Sequence, residues 1–228
     1  MTPEESSIEK NLEIMEVVEK ELNQRKREAT FCLIVFLSVV SVWTLLVALW
    51  EKLGRPIASD SMTYGVEIIA LLMMFLTMKN TQLRLKDMRV SKKNLGLSLI
   101  RAFCISLVII AIMVILKLTV MRSEPFVDWS KFDPTYAITS IFQEFLARGF
   151  LLTCLLNLLD HKRKKHIAVI ISSLVFTSLH LYYGFSFMVG AGVLSILLGY
   201  VCIKDENIWG ASLIHFVFGT AGIIMGLV

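Results

Sequence analysis

Five polar residues that could form a catalytic site lie inside strongly apolar stretches of the chain. Gln143, Glu144 and Arg148 fall in IFQEFLARGF, His180 in SSLVFTSLHLYYGF and His215 in GASLIHFVFGTAG. A carboxylate and imidazoles can hold and deprotonate a water molecule, and an imidazole can also donate to a developing oxyanion. Such a set on three separate segments indicates hydrolysis.

The same side chains could instead bind a metal ion. Carboxylate oxygens and imidazole nitrogens are ligands for zinc, so Glu144, His180 and His215 form the candidate ligand set if a divalent metal is used. A mechanism that relies on protein groups needs no cofactor. The sequence leaves the mechanism with a metal and the mechanism without one open.

A purely structural role is the alternative for part of this set. Glu144 and Arg148 are four residues apart, which places them on one face of a helix, where an internal ion pair can fix packing. A single intramembrane histidine is often only a hydrogen bond between helices. Two such histidines together with a glutamate favour a functional site over packing alone.

The segments around these residues have the composition of a membrane protein. Hydrophobic residues make up 56% and charged residues 18% of the 228 residues, and the mean hydropathy of +0.69 lies outside the range usual for soluble domains. The apolar blocks approach the roughly 20 residues that a helix needs to cross a bilayer. They predict an all-α, polytopic transmembrane helix bundle of about seven spans, with six to eight possible. The blocks lie at about 31–50, 64–78, 98–120, 136–159, 167–185, 186–203 and 208–228.

Residues 1–30 differ from the rest of the chain because they are highly charged. Apolar residues recur there at helical spacing, which predicts a cytosolic amphipathic helical extension. Residues 31–228 then form the transmembrane bundle, since no repeat or long linker divides them.

The distribution of Lys and Arg predicts the orientation in the membrane. Fourteen of these residues fall in the loops on the side of the N-terminus and four on the other side. The positive-inside rule therefore predicts an integral membrane protein with a cytosolic N-terminus and a C-terminus on the opposite side. The net charge of +4 is explained by this topology and by attraction to membrane lipid, and it does not indicate nucleic-acid binding.

Three short motifs give a family resemblance. QEFLARG begins at Gln143, FTSLH runs from Phe176 to His180, and HFVFG runs from His215 to Gly219. In this order they resemble the motifs EExxxR, FxxxH and HxxxN or HxxxD of the CPBP intramembrane proteases. That family includes the type II CAAX prenyl endopeptidases and proteins of bacteriocin processing and self-immunity. The resemblance covers about residues 98–228.

The resemblance implies a role for each matching residue. Glu144 would be the second acidic residue of the first motif, with Arg148 as its partner. His180 would activate water or bind a metal, and His215 would contact the oxyanion or a metal. Phe176 would shape the cavity near His180. The implied substrate is a membrane-associated or prenylated peptide.

Two residues depart from the family pattern. Gln143 stands where the family has its first glutamate, and an amide cannot take a proton from water near neutral pH. Gly219 stands where the family has Asn or Asp, so a polar group expected near His215 is missing from the cavity. The chain is therefore interpreted as a natural variant of the family.

Three functions are compatible with such a variant. In the first, Glu144 and His180 activate water for peptide hydrolysis, while Gln143 orients the water or the scissile carbonyl. In the second, cleavage has been lost, and a pseudoenzyme serves as a membrane binding scaffold or an immunity or regulatory protein. A transporter or channel is the third, but the two halves of the chain show none of the internal symmetry typical of transporters.

Overall fold

The chain folds into helices throughout the part that the structure describes. The computed structural model describes residues 3–54, 59–119, 127–180 and 185–227. No strand occurs in these residues, which confirms the predicted all-α fold class.

Seven helices lie within the described ranges, at positions close to the seven predicted blocks. A short 3₁₀ helix, Trp129–Lys131, precedes the fourth of them. The helices are α1 Pro3–Lys52, α2 Ser59–Asn80, α3 Leu95–Thr119, α4 Tyr136–Leu158, α5 Lys164–Ser178, α6 Phe185–Asp205 and α7 Trp209–Ile224.

Four of these helices contain segments long and apolar enough to cross a membrane, namely Ser7–Trp50, Leu95–Thr119, Tyr136–Leu158 and Phe187–Asp205. Helix α7 is apolar but has only 16 residues, or about 24 Å at the helical rise, which is less than a typical hydrocarbon core. The chain is an integral membrane protein, and its division into seven spans stays a prediction.

Helix α4 is central to the bundle and packs against α1, α2, α5 and α7. Its middle turns, Phe145–Leu151, have π-helical hydrogen bonding, a local widening that is frequent at functional sites. Gly149 lies in this π segment, where an added Cβ would lie 2.8 Å from the backbone oxygen of Met88. Only glycine allows the loop after α2 to approach the helix so closely.

That loop, residues 81–94, forms hydrogen bonds both to α4 and to the start of α7. The guanidinium of Arg89 donates to the hydroxyl of Thr153 at 2.6 Å, and the backbone oxygen of Arg89 accepts from the backbone N–H of Ile208 at 3.1 Å. Asn207 donates to the backbone oxygen of Lys93 at 2.6 Å. These bonds set the position of α7 relative to α4.

Helix α5 ends earlier than the predicted fifth block. The block at 167–185 placed His180 inside a helix of membrane length, but α5 ends at Ser178 and His180 lies in the turn that follows. Thr177 and Ser178 donate their hydroxyls to backbone oxygens of the preceding turn, a competition that weakens helices at such residues. The remainder of the predicted block, 181–184, lies outside the described residues.

Helix α1 joins the predicted extension and the first predicted span without a break. Its apolar residues in the extension stay exposed, with Ile8 at 59% and Met15 at 63% exposure. The described part of the chain therefore does not cover the apolar stripe of the extension.

Candidate active site

Glu144 is the centre of a buried polar cluster in α4. Its side chain is fully buried, and its Oε1 accepts a hydrogen bond of 2.8 Å from the guanidinium of Arg148, which is 1% exposed. Two charges this far from solvent remain stable only when they are paired. The predicted ion pair between these residues is present, one helical turn apart.

Arg148 also connects α4 to two other helices. Its Nη2 donates to the backbone oxygen of Ser195 at 2.8 Å and to the hydroxyl of the same residue at 2.7 Å, both in α6. Its Cζ lies 4.7 Å from the centre of the Phe176 ring in α5. The guanidinium is thus fixed by a carboxylate, by a serine and by a cation–π contact.

His215 joins the cluster from α7. Its Nδ1 lies 2.8 Å from Oε1 of Glu144, and the residue is 3% exposed. A carboxylate can only accept hydrogen bonds, so Nδ1 carries the hydrogen and the neutral ring keeps a lone pair on Nε2. Glu144 therefore orients the imidazole of His215.

His180 reaches the cluster through Phe176. Its Nδ1 lies 2.8 Å from the backbone oxygen of Phe176, and because a carbonyl only accepts, Nδ1 again carries the hydrogen. The Phe176 ring centre lies 4.4 Å from that of His180 and 5.6 Å from that of His215. Phe176 thus contacts both imidazole rings, and its place in a cavity stays a prediction.

Two acceptor atoms on consecutive residues of α4 are buried without a hydrogen-bond partner. They are Oε2 of Glu144 and Oε1 of Gln143. Buried polar atoms are nearly always paired, so these oxygens call for a donor such as a water molecule or a peptide N–H. This acceptor oxygen is the group through which Gln143 can contribute to the site.

The predicted metal-ligand set does not match a metal site in its geometry. Among the residues described, no group of three or more His, Cys, Asp or Glu side chains is arranged to hold an ion. Oε1 of Glu144 already accepts from Arg148 and His215. A divalent metal such as zinc therefore enters no step of the mechanism proposed below.

Gly219 lies against Tyr136, a residue that the sequence motifs did not identify. A Cβ added at Gly219 would overlap the hydroxyl and ring atoms of Tyr136. The Tyr136 ring also packs edge-on against His215, with ring centres 6.0 Å apart and an interplanar angle of 82°. The space beside Gly219, expected to be part of the cavity, is filled by the tyrosine.

Glu67 brings a second carboxylate close to α4, from a helix outside the motifs. Its Oε1 accepts from the hydroxyl of Thr139 at 3.0 Å. Thr139 lies four residues before Gln143, on the same face of the helix. The sequence shows Glu67 inside an apolar block, but only the packing of α2 on α4 reveals its partner.

The comparison with protein families agrees with this geometry. Residues 134–221 match the family model described as Type II CAAX prenyl endopeptidase Rce1-like. This segment is therefore similar to that family. The predicted family resemblance is thereby confirmed over these residues. No curated protein and no solved structure matches the chain.

The Rce1-like segment contains every candidate site residue, from Gln143 to Gly219, whereas α1, α2 and α3 lie outside it. The matched family is described as a prenyl endopeptidase, which is a class of protease. The roles of individual residues do not follow from the match and rest on the contacts above.

Proposed function

We propose that the protein is an intramembrane endopeptidase that hydrolyses a peptide bond in a membrane-associated or lipidated peptide. The observation that carries this proposal is the buried cluster in which Glu144 contacts Arg148 and His215 and keeps one oxygen without a partner. A carboxylate in such a setting can bind water away from bulk solvent, where electrostatic interactions are strong.

The hydrolysis begins with the water molecule. Oε2 of Glu144 accepts a hydrogen bond from the water, and Nε2 of His180 takes its proton as the water oxygen attacks the carbonyl carbon of the substrate. The amide C–N bond then breaks, and the leaving nitrogen receives that proton from His180. The imidazole returns to its neutral form, so no co-reactant other than water is consumed.

His215 and Arg148 support this step. Nδ1 of His215 donates to Glu144, so the ring can contact the oxyanion through an Nε2–H only in its doubly protonated form. That form places its positive charge beside the Glu144 carboxylate. Arg148 holds the carboxylate in position through the 2.8 Å bond.

Gln143 stands at the position of the family's first glutamate, but it cannot act as a general base. Its amide group can accept or donate hydrogen bonds but cannot take a proton near neutral pH. We assign it the orientation of the water or of the scissile carbonyl, because its buried Oε1 has no partner of its own.

The proposed substrate class is supported by the family description and by the surroundings of the site. The matching family is described as a CAAX prenyl endopeptidase, and the cluster lies in α4, a helix of membrane length. A prenylated peptide ending in a C-a-a-X sequence enters such a site from the bilayer, because its isoprenoid chain partitions into lipid.

The test is cleavage in proteoliposomes that contain the purified protein. A farnesylated peptide ending in C-a-a-X and an unprenylated membrane-anchored peptide serve as substrates. His180→Ala and Glu144→Gln are compared with the native chain, and His166→Ala is the matched control because its ring pairs with Tyr200 at an exposed site. Thermal unfolding of each variant separates loss of activity from loss of fold.

Cleavage that disappears with His180→Ala but survives with His166→Ala supports the proposal. Native protein that cleaves neither peptide contradicts it. A chelator added in parallel is expected to leave the rate unchanged, because the proposed step uses protein groups and water.

The second candidate function, a binding scaffold, is favoured by one specific observation. Oε1 of Glu144 is already engaged by Arg148 and His215, and Gln143 cannot act as a base. Gln143→Glu distinguishes the two functions, because it restores a carboxylate next to Glu144. If this variant also fails to cleave, while the farnesylated peptide still binds to the native protein in liposomes, the scaffold is the better explanation.

A further inference from the structure

A run of four cations links the end of α4 to the start of α5, and we call it the basic turn. Its residues are consecutive in the chain and all exposed, namely Lys162, Arg163, Lys164 and Lys165. The acidic residue of this connection, Asp160, already pairs with Lys26 of α1 at 3.5 Å. Among the residues that the structure describes, none of the four cations forms an ion pair with a carboxylate.

Hydrogen bonds hold the basic turn in one conformation. The backbone N–H of Arg163 donates to Nδ1 of His161 at 3.0 Å, and that of Lys164 donates to the backbone oxygen of His161, also at 3.0 Å. The backbone N–H of Ile167 donates to the backbone oxygen of Arg163 at 3.1 Å, where α5 begins. The four charges are therefore concentrated on a short, ordered turn.

The position of the basic turn places it where a membrane meets water. It comes soon after Leu158, the last residue of a helix long and apolar enough to span a membrane. Beside it, Nδ1 of His166 lies 2.9 Å from the hydroxyl of Tyr200, which is close to the end of another such helix. Tyrosines are enriched at the polar boundary of membranes. The basic turn is therefore within reach of lipid headgroups.

The charges of the basic turn are unfavourable for the helix that they precede. The N-terminus of a helix carries a partial positive charge that favours anions, and neighbouring cations repel each other. The first turn of α5 nevertheless contains two lysines, no acidic residue and no capping side chain. A bound anion would remove this repulsion.

The other strongly basic segment, loop 81–94, uses cations within the fold. Arg89 donates to the hydroxyl of Thr153 at 2.6 Å, and Lys93 pairs with Glu206. The cations of the basic turn have no comparable partner in the described part of the chain. Their charges are therefore available to an external anion.

We propose that the basic turn binds the headgroup of an anionic membrane lipid that carries more than one phosphate group. Four adjacent cations match several negative charges in a small volume, whereas a headgroup with one charge would leave most of the cations uncompensated. The lipid chains keep such a headgroup at the membrane surface, beside the turn. This site is separate from Glu144, and the inference does not depend on peptide cleavage.

Binding is measured on the full-length protein in neutral detergent micelles, with short-chain phosphatidylinositol bisphosphate as the probe. Phosphatidylglycerol with the same chains tests the need for several charges, and inositol trisphosphate, the free headgroup, tests the need for a lipid. We expect the bisphosphate lipid to bind most tightly, with an affinity that falls as salt screens the exposed charges. Equal affinity for the free headgroup would indicate a site for soluble phosphates, and equal affinity for phosphatidylglycerol would exclude a preference for several phosphates. Either result overturns the inference.

Substitutions locate the site on the protein. Lys164→Gln combined with Lys165→Gln removes two of the four charges. A basic residue near an anionic membrane surface raises affinity about 5-fold, so we expect this pair to weaken binding about 25-fold. The control is Lys10→Gln combined with Lys20→Gln, which removes two exposed charges from the N-terminal extension and should leave the affinity unchanged. Equal affinity in the two double variants overturns the inference.

Thermal unfolding separates lipid binding from a structural role of the cations. Without lipid, Lys164→Gln combined with Lys165→Gln should unfold at the same temperature as the native protein or slightly above it, because repulsion at the start of α5 is reduced. The bisphosphate lipid should raise the melting temperature of the native protein, since a ligand of the folded state stabilises it, and should raise that of the double variant much less. A rise of the same size in both proteins overturns the inference.

Discussion

Helices α1 and α4 both have the length and composition to cross a membrane, but they differ in what surrounds them. In the apolar window of α4, 61% of residues are buried inside the protein, whereas in that of α1 only 11% are. The ion pair of α4 is fully buried. That of α1 joins Lys26 to Asp160 at 3.5 Å, with the aspartate side chain 88% exposed.

This comparison explains why apolar length alone does not locate function. A helix that faces lipid over most of its surface gains little from polar residues, because a charge there has few partners and a high desolvation cost. A helix surrounded by other helices can keep a carboxylate, a guanidinium and an imidazole in mutual contact. Buried polar contacts are thus the feature that distinguishes α4 from α1.

The largest effect is expected from breaking the buried ion pair of α4. Arg148→Met removes the guanidinium and leaves Glu144 in the interior without its charge partner, which should destabilise the fold by about 3–5 kcal/mol. The matched change on α1, Lys26→Met, should alter stability by less than about 1 kcal/mol because that pair is solvent-exposed. Thermal unfolding in detergent micelles measures both. Equal losses of stability in the two variants would contradict the claim that buried ion pairs distinguish α4 from α1.

A smaller effect is expected from filling the space at Gly219. Gly219→Ala introduces a Cβ that overlaps Tyr136, and such overpacking typically destabilises a protein by about 1–3 kcal/mol. Gly96→Ala is the control, since nothing lies within 4 Å of the added Cβ there. The control should unfold at the same temperature as the native chain or slightly higher. A melting temperature unchanged by Gly219→Ala would show that Tyr136 shifts away from the added methyl group at little cost in stability.

The hydrogen bond between α2 and α4 should contribute less to the free energy of unfolding. Thr139→Val keeps the side-chain shape but removes the donor to Glu67, and a single hydrogen bond between membrane helices contributes about 0.6 kcal/mol on average. Thr44→Val in α1 is the control, because that hydroxyl bonds only within its own exposed helix. A larger loss at position 44 than at position 139 would contradict the central place given to α4.

The smallest effect is expected outside the membrane, at the exposed ion pair of Lys93 and Glu206. The hydrogen bond from Lys93, followed by its charge, lowers the pKa of Glu206 below its ordinary value of 4.5. A carboxyl whose pKa is lowered by folding stabilises the native state above its unfolded pKa and loses that contribution as the pH falls through the folded value. The melting temperature of the native protein should therefore fall slightly below about pH 4.5. That of Glu206→Gln should not show this fall. An identical pH profile for both proteins would show that the pair contributes nothing.

Much of the site could be predicted from the sequence because its residues are conspicuous in their surroundings. Glu144, Arg148 and His215 are polar residues in apolar blocks, and the structure brings the other two into direct contact with Glu144. The family resemblance seen in three short motifs is confirmed over residues 134–221. The orientation of the chain in the membrane and the number of spans stay predictions.

Other members of the cluster could not be found this way. Ser195, Thr139 and Tyr136 are residue types common in membrane helices, and nothing in their local sequence separates them from packing residues. Their roles depend on neighbours far away in the chain, such as Arg148 for Ser195, 47 residues apart, and Glu67 for Thr139, 72 residues apart. The end of α5 before His180 was also missed, because an apolar run continues past the point where the helix stops.

The sequence by itself determined the membrane character, the helical fold class and the set of ionisable residues that must avoid lipid. Each of these follows from composition and from the high free energy of an unpaired charge in hydrocarbon. Only the tertiary structure decided which partner each group has. Oε1 of Glu144 accepts two hydrogen bonds, whereas its Oε2 has no partner. Tyr136 occupies the space beside Gly219, which has no side chain. Hydrogen bonds and close contacts depend on distances of a few ångströms between helices, and those distances are set by packing.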